Sequence, residues 1–354
     1  MRQEKLTIDA IGLLKNLIEI PSFSSEEDQT ALRIEKWFQK YQIVYQRTEN
    51  NVWAVNKYFD ESKPTLLLNS HHDTVKPNSG YTKDPFKAII ENGKLYGLGS
   101  NDAGGCLVSL LATFANFYDR KELKYNLVIV ASAEEESSGK NGLNSMLSII
   151  PKIDVAIVGE PTLMQLAIAE KGLVVFDAKV GGTPGHAAHP NPDNPIYNTI
   201  EVLQWFQGYE FEKTSESLGD VKMTVTQINA GKQHNAIPAE VDLVVDVRVN
   251  DQYTNQEIAE ILKKESPCTS ITPRSLRLNS SSIPVEHELV QSGIALGRKT
   301  YGSPTLSDQS VVSCPSLKLG PGDSTRSHTA DEFIYIQEIE EGIELYIKLL
   351  EKIL

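Results

Sequence analysis

The fold is decided at residues 127–139, LVIVASAEEESSG, where an apolar, β-branched run from Leu127 to Val130 stops abruptly at three carboxylates, Glu134, Glu135 and Glu136. A short continuous apolar run reads as a strand buried on both faces, as in the centre of a mostly parallel sheet. In such sheets ligands gather outside the carboxyl ends of the strands. Three adjacent carboxylates repel one another, and their burial is costly without cations close by. A Glu triplet on its own is ordinarily a solvated acidic loop; the rest of the chain decides against that here.

Working outward, helical periodicity covers Leu6 to Ile18, and Pro21 with the following serines breaks it. Ser24 and Glu27 form a possible capping box for a helix from Glu27 to Tyr41. Val52–Asn56, Thr65–Asn69, Lys94–Leu98 and Asp154–Val158 read as strands, with helices at Cys106–Phe117 and Asn141–Ile149. This alternating order is the signature of an α/β fold, a mostly parallel sheet with helices on its faces.

After Lys171-Gly172 the texture changes. Leu173–Val180, Val221–Ile228 and Val241–Val249 alternate like half-exposed antiparallel strands, with helices at Ile196–Phe206 and Thr254–Lys264 and a strand at Ser275–Leu278. From about Ile283 the α/β texture returns, with a helix His287–Tyr301, a strand Ser316–Leu319 and a helix Ile336–Ile353. The expected organisation is therefore a first domain in two parts, 1–171 and 281–354, interrupted by an inserted α+β domain, 172–280.

The 354 residues are 40% hydrophobic and 23% charged, which is globular composition at a length that favours two domains. A net charge of −13 argues against nucleic acid or an anionic membrane as partner. Cys106, Cys268 and Cys314 are odd in number and far apart, so neither a disulfide framework nor a thiolate zinc site is indicated. The first twenty residues are amphipathic and carry Glu4 and Asp9, unlike a signal peptide. No apolar run approaches the roughly 18–20 residues of a membrane span. The expectation is a cytoplasmic protein.

Four segments end apolar strands with a metal-type ligand, His71, Asp102, Glu136 and Glu160, and His328 is a fifth candidate in the loop after Ser316–Leu319. Two histidines and three carboxylates without cysteine suit zinc, cobalt or manganese. Five ligands exceed the needs of one tetrahedral ion and fit two ions sharing a bridging carboxylate.

Five segments in order, SHHD at 70–73, LYGLGSND at 95–102, AEEESS at 133–138, GEPT at 159–162 and SHTADE at 327–332, resemble the dinuclear metallopeptidase and deacylase family that includes acetylornithine deacetylase, succinyl-diaminopimelate desuccinylase, aminoacylase and glutamate carboxypeptidase. The resemblance spans nearly the whole chain, including the inserted domain. It implies two divalent ions, zinc before cobalt or manganese. His71 and Glu160 would complete one site, Glu136 and His328 the other, and Asp102 would bridge them. Asp73 would support His71, with His72 pointing away, and Glu135 would be the general base. Glu134 stands where many relatives carry Asp, which implies a supporting or structural role. A cis peptide bond is implied after Asp102.

In the inserted domain the resemblance implies that His186, in GGTPGHAAHP at 181–190, stabilises the developing oxyanion in a partner subunit's site, so that a homodimer forms through this domain. His189 would be structural. Asn235, in the NAIP segment, and Arg248 would contact substrate, Arg248 through the α-carboxylate; an ion pair within the sheet is the alternative for Arg248. Gly322, in the PGDS loop at 321–324, would offer a backbone N–H to a substrate carboxylate.

The implied activity is two-metal hydrolysis of the amide bond of an N-acyl-L-amino acid, N-acetylornithine first, as in arginine biosynthesis. N-acetylcitrulline and N-succinyl variants come next, then succinyl-diaminopimelate and dipeptides. A non-catalytic binding member is disfavoured by the intact ligand set together with Glu135 and Asp73. A serine or cysteine hydrolase is disfavoured by the missing G-x-S-x-G elbow and by the apolar run around Cys106.

Overall fold

The computed structural model describes residues 2–354. The chain divides into two compact units: unit 1 comprises Met1–Ile168, Ser282–Tyr301 and Ser307–Leu354, and unit 2 comprises Ala169–Ser281 and Gly302–Leu306. The short return of 302–306 to unit 2 lies inside the stretch that the sequence texture assigns to the first domain.

Unit 1 is built on a mixed sheet whose centre is parallel. Strand Asn126–Ser132 pairs in parallel with Thr65–His71, which pairs in parallel with Val155–Val158, and that in turn with Ser316–Lys318. Antiparallel partners flank this core, Asn51–Val55 beside Asn126–Ser132 and Lys318 opposite Ala167. The apolar runs are continuous because both faces of these strands are covered. Leu66, Leu68, Leu127 and Ile129 face a large core with Leu14, Phe38, Phe114 and Tyr346 from the helices Arg2–Ile18, Asp28–Lys40, Gly105–Phe117 and Ile336–Glu351. The alternate residues Leu67, Val128 and Val130 turn to a smaller cluster with Trp53, Leu143 and Met146.

Several expectations are corrected. Lys94–Tyr96 is a strand, but of a separate three-stranded sheet with Ile89–Glu91 and Phe333–Tyr335, so Asp102 does not follow a strand of the main sheet. Helix Asp28–Lys40 starts without a side-chain cap; the Ser24 hydroxyl donates to Asp73 instead. Only Leu143–Met146 of the predicted 141–149 helix forms, in a stretch opened by Gly142 and closed by Pro151. The predicted helix 287–301 ends at Ala295, near Gly297, which adopts φ +79°.

Unit 2 is a four-stranded antiparallel sheet in the order Lys222–Ala230, Glu240–Val249, Gly172–Gly181, Ser270–Pro273. Alternate residues Val174, Phe176, Ala178, Val241, Leu243 and Val245 pack with Val202, Phe206, Ile258 and Leu262 of the helices Pro195–Gly208 and Asn255–Glu265. Both helices begin as their sequences dictate: Asn194 caps the first ahead of Pro195, and Thr254 with Glu257 forms a capping box on the second. The fourth strand is Ser270–Pro273, not the predicted 275–278. Among the described residues no helix is long and apolar enough to cross a membrane.

Candidate active site

The parallel strands of unit 1 deliver their polar residues to one end. His71 is the last residue of its strand and pairs in register with Ser132; the Glu triplet follows Ser132, and Glu160 lies two residues beyond Val158. Asp102 enters from the irregular turn Ser100–Gly104 at the head of helix Gly105–Phe117, and the Asp102–Ala103 peptide bond is cis. His328 follows a short 3-10 turn and holds φ +59°.

The imidazole of His71 is buried. Its Nδ1 lies 3.0 Å from the Asp73 carbonyl oxygen and 3.3 Å from an Asp73 carboxylate oxygen. An Nδ1–H donor in this position turns the Nε2 lone pair the other way. Nε2 has no hydrogen-bond partner, yet it faces carboxylate oxygens of Asp102 at 3.4 Å, Glu160 at 3.7 Å and Glu135 at 3.9 Å. A buried acceptor turned toward three anions is unfavourable unless a cation lies between them. The other oxygen of Asp102 faces His328 Nε2 at 3.5 Å, and Glu136 lies 3.0 Å from the same nitrogen. One carboxylate thus stands between two imidazoles. The donor set fits two divalent ions held by nitrogen and oxygen ligands.

Electrostatics support that fit. Burial, with the like charge of Asp102, pushes the Glu160 carboxyl up to about 8. Burial also raises Glu135 well above the carboxylate range, and Glu160, Asp308 and Glu136 add to the effect. Burial opposes a charge on His71, but the carboxylates of Asp102, Asp73, Glu135 and Glu160 overcome it and raise its pKa. Cations in the cluster would relieve the repulsion among these groups. Distance alone does not separate ligand from base: donor atoms of His71, Asp102 and Glu136 lie within 4.8 Å of one another, and so do those of His71, Glu135 and Glu160.

Asp73 does more than hold His71. Its two carboxylate oxygens accept the backbone N–H groups of Glu135 and Glu136, each at 3.1 Å, and the Ser24 hydroxyl at 2.7 Å. His72 points away, its ring nitrogens 2.9 Å from the Thr30 hydroxyl and 3.0 Å from the Asn50 carbonyl. Glu134, at φ +55°, is a brace: its carboxylate accepts from the Ser25 hydroxyl and from the Asn141 backbone and side-chain amides. Gly322 packs beside Asn101, where a Cβ would lie 2.5 Å from the Asn101 side-chain oxygen. That oxygen accepts the Asp323 N–H.

Two buried carboxylates were not legible as site residues. Asp308 accepts the Ser132 hydroxyl at 2.6 Å behind the Glu triplet, and burial pushes it up to about 6. Glu332 lies under the Asp102 turn. The Cys106 thiol is buried against the Pro321 carbonyl, and burial raises its pKa, so it is no nucleophile.

Unit 2 holds the remaining candidates. His186 belongs to a two-residue ladder, Gly185–His186 with Ala236–Ile237, and the Asn235 carbonyl accepts the Ala187 N–H, so His186 and Asn235 share one exposed two-stranded ladder. Arg248 donates through Nε and Nη2 to both carboxylate oxygens of Asp246, at 2.8 and 3.1 Å. This is the ion pair within the sheet.

Comparison with known proteins gives the family and the fold. The model of peptidase family M20/M25/M40 matches residues 67–352. A succinyl-diaminopimelate desuccinylase of Rickettsia akari is 25% identical over 97% of this chain and 100% of its own length. An acetylornithine deacetylase of Buchnera aphidicola subsp. Acyrthosiphon pisum is 29% identical over 97% of each. Among solved structures, a dinuclear metal-binding M20 peptidase from Bacillus subtilis has a TM-score of 0.76 at 14% identity, covering 98% of both chains. An M20 metallo-carboxypeptidase from Sulfolobus solfataricus has 0.75 at 18%, covering 97% of this chain and 99% of its own.

Proposed function

The chain belongs to peptidase family M20/M25/M40 and is a metal-dependent amidohydrolase, and on that premise we propose that it deacylates an N-acyl-L-amino acid. N-acetylornithine is the first candidate, cleaved to acetate and ornithine as in cytoplasmic arginine biosynthesis. The observation that carries the reading is Asp102, whose two oxygens face the two imidazoles. In this reading His71, Asp102 and Glu160 hold one ion and Asp102, Glu136 and His328 the other, zinc before cobalt or manganese. Bound there, the ions would supply Lewis-acid polarisation of the scissile carbonyl and would acidify water.

The protein's own groups do the rest. Glu135 takes a proton from the attacking water as the C–O bond forms and returns it to the amide nitrogen as the C–N bond breaks. Asp73 orients His71 and the Glu135 loop together. Arg248 binds the α-carboxylate by exchanging its Asp246 partner for substrate, and Gly322 and Asn235 add contacts. His186 of the partner subunit stabilises the oxyanion. The docking surface for that second copy is the outermost strand Lys222–Ala230 with exposed Ile228, beside exposed Ile196, Tyr197 and Ile200 on the neighbouring helix.

The test is hydrolysis of N-acetylornithine, N-acetylcitrulline, N-succinylornithine, N-succinylcitrulline and succinyl-diaminopimelate by zinc- or cobalt-loaded protein. The expected result is a clear preference in kcat/KM for N-acetylornithine, abolished by chelator and restored by metal. A preference for succinyl-diaminopimelate, or no turnover with two ions bound, overturns the substrate.

A further inference from the structure

Glu332 lies four residues beyond His328 and immediately before strand Phe333–Tyr335, with its side chain buried. One carboxylate oxygen accepts the N–H groups of Asn101 at 2.8 Å and Asp102 at 2.9 Å; the other accepts Gly99 N–H at 3.1 Å. Its own carbonyl accepts Gly97 N–H at 3.0 Å. Four amides of the turn that presents Asp102 therefore end on one residue. The Gly97 bond continues the ladder of Lys94–Tyr96 with Phe333–Tyr335, but Gly99, Asn101 and Asp102 belong to no ladder, so without the Glu332 carboxylate these three donors would be unsatisfied.

The segment that carries Glu332 is itself pinned. The Asp331 carboxylate accepts the Thr82 and Lys83 N–H groups, and the Asn78 side-chain amide donates to the His328 carbonyl. His328 and Asp102 face each other at 3.5 Å, from two chain segments joined through Glu332. Asp73, by contrast, holds His71 and the backbone N–H of Glu136. Asp102 and the segment of His328 have a brace of their own in Glu332. A neutral side chain could fill the space, but only a carboxylate offers acceptors to three converging N–H groups. It does so beside the like charge of Asp102, an arrangement that stability alone would not favour.

We propose that Glu332 is a positioning residue that sets Asp102 against His328, and that it governs uptake of the ion in the Asp102–Glu136–His328 half in preference to the half at His71. The proposal rests on the two-ion reading of the cluster. Its test is cobalt titration of the metal-free full-length protein by calorimetry and visible absorption, alongside kcat and KM. The unsubstituted protein takes up two ions. Glu332→Gln keeps the paired acceptor and loses the Gly99 bond; Glu332→Asp keeps the charge and loses reach. Both bind one ion normally and the other about 10–100-fold more weakly, with kcat reduced and KM little changed. Asp331→Asn, which removes the acceptor of the Thr82 hydroxyl on the same segment and leaves the Asp102 turn and the backbone pins intact, retains both affinities. Unchanged uptake of both ions in the two Glu332 variants, with only a lower Tm, overturns the proposal; so does equal weakening of both ions. Fewer than two ions in the unsubstituted protein removes the two-ion reading itself, before any substitution is considered.

Discussion

The two units carry their polar groups in opposite ways. In unit 1, His71, Asp73 and Glu332 are buried; Asp73 and Glu332 are each held by several bonds, and His71 is held through Asp73. In unit 2, His186 and Asn235 sit on an exposed ladder of two-residue strands, and Arg248 is paired to its own strand neighbour. The first set is pre-organised, its geometry imposed by the fold. In the proposed assembly the second set is completed only by docking.

Substitutions can break that contrast. The largest effect belongs to Glu135→Ala: kcat falls about 10²–10⁴-fold while both ions remain, as metal analysis of the purified variant would show. Loss of an ion with activity would make Glu135 a ligand, which its place in the His71-centred group allows. His186→Ala comes next, with kcat down about 10²–10³-fold and metal content unchanged. Mixing it with the Glu135→Ala protein should restore part of the activity through hybrid dimers; no recovery despite proven subunit exchange would leave His186 without a catalytic role across the dimer. Arg248→Ala is the mildest. KM should rise about tenfold, the equivalent of roughly 1.4 kcal/mol, with kcat retained. An unchanged KM with a lowered Tm would leave Arg248 as only the partner of Asp246.

What was legible in the sequence follows the same division. Apolar runs such as Leu127–Val130 declare themselves because both faces are buried, and their ends point to His71, Glu136 and Glu160. Periodicity identifies Lys94–Tyr96 as a strand but carries nothing about which sheet it joins. The polar segment Ser270–Pro273 has almost no apolar signal, and the sequence pattern points a few residues past it, to Ser275–Leu278. Asp246 beside Arg248 was readable in principle, since residues two apart share a face of a strand. Glu332 and Asp308 were not, because their roles arise from contacts more than a hundred residues distant in the chain.

The double attachment of Asp73 has a mechanical consequence. It touches His71 on one side and the backbone of Glu135 and Glu136 on the other. A thermal displacement of Asp73 therefore carries imidazole and carboxylates in the same direction. The pieces share one jig, so the whole assembly can drift while the spacing among its members stays nearly constant. For proton transfer, that spacing is the dimension that matters.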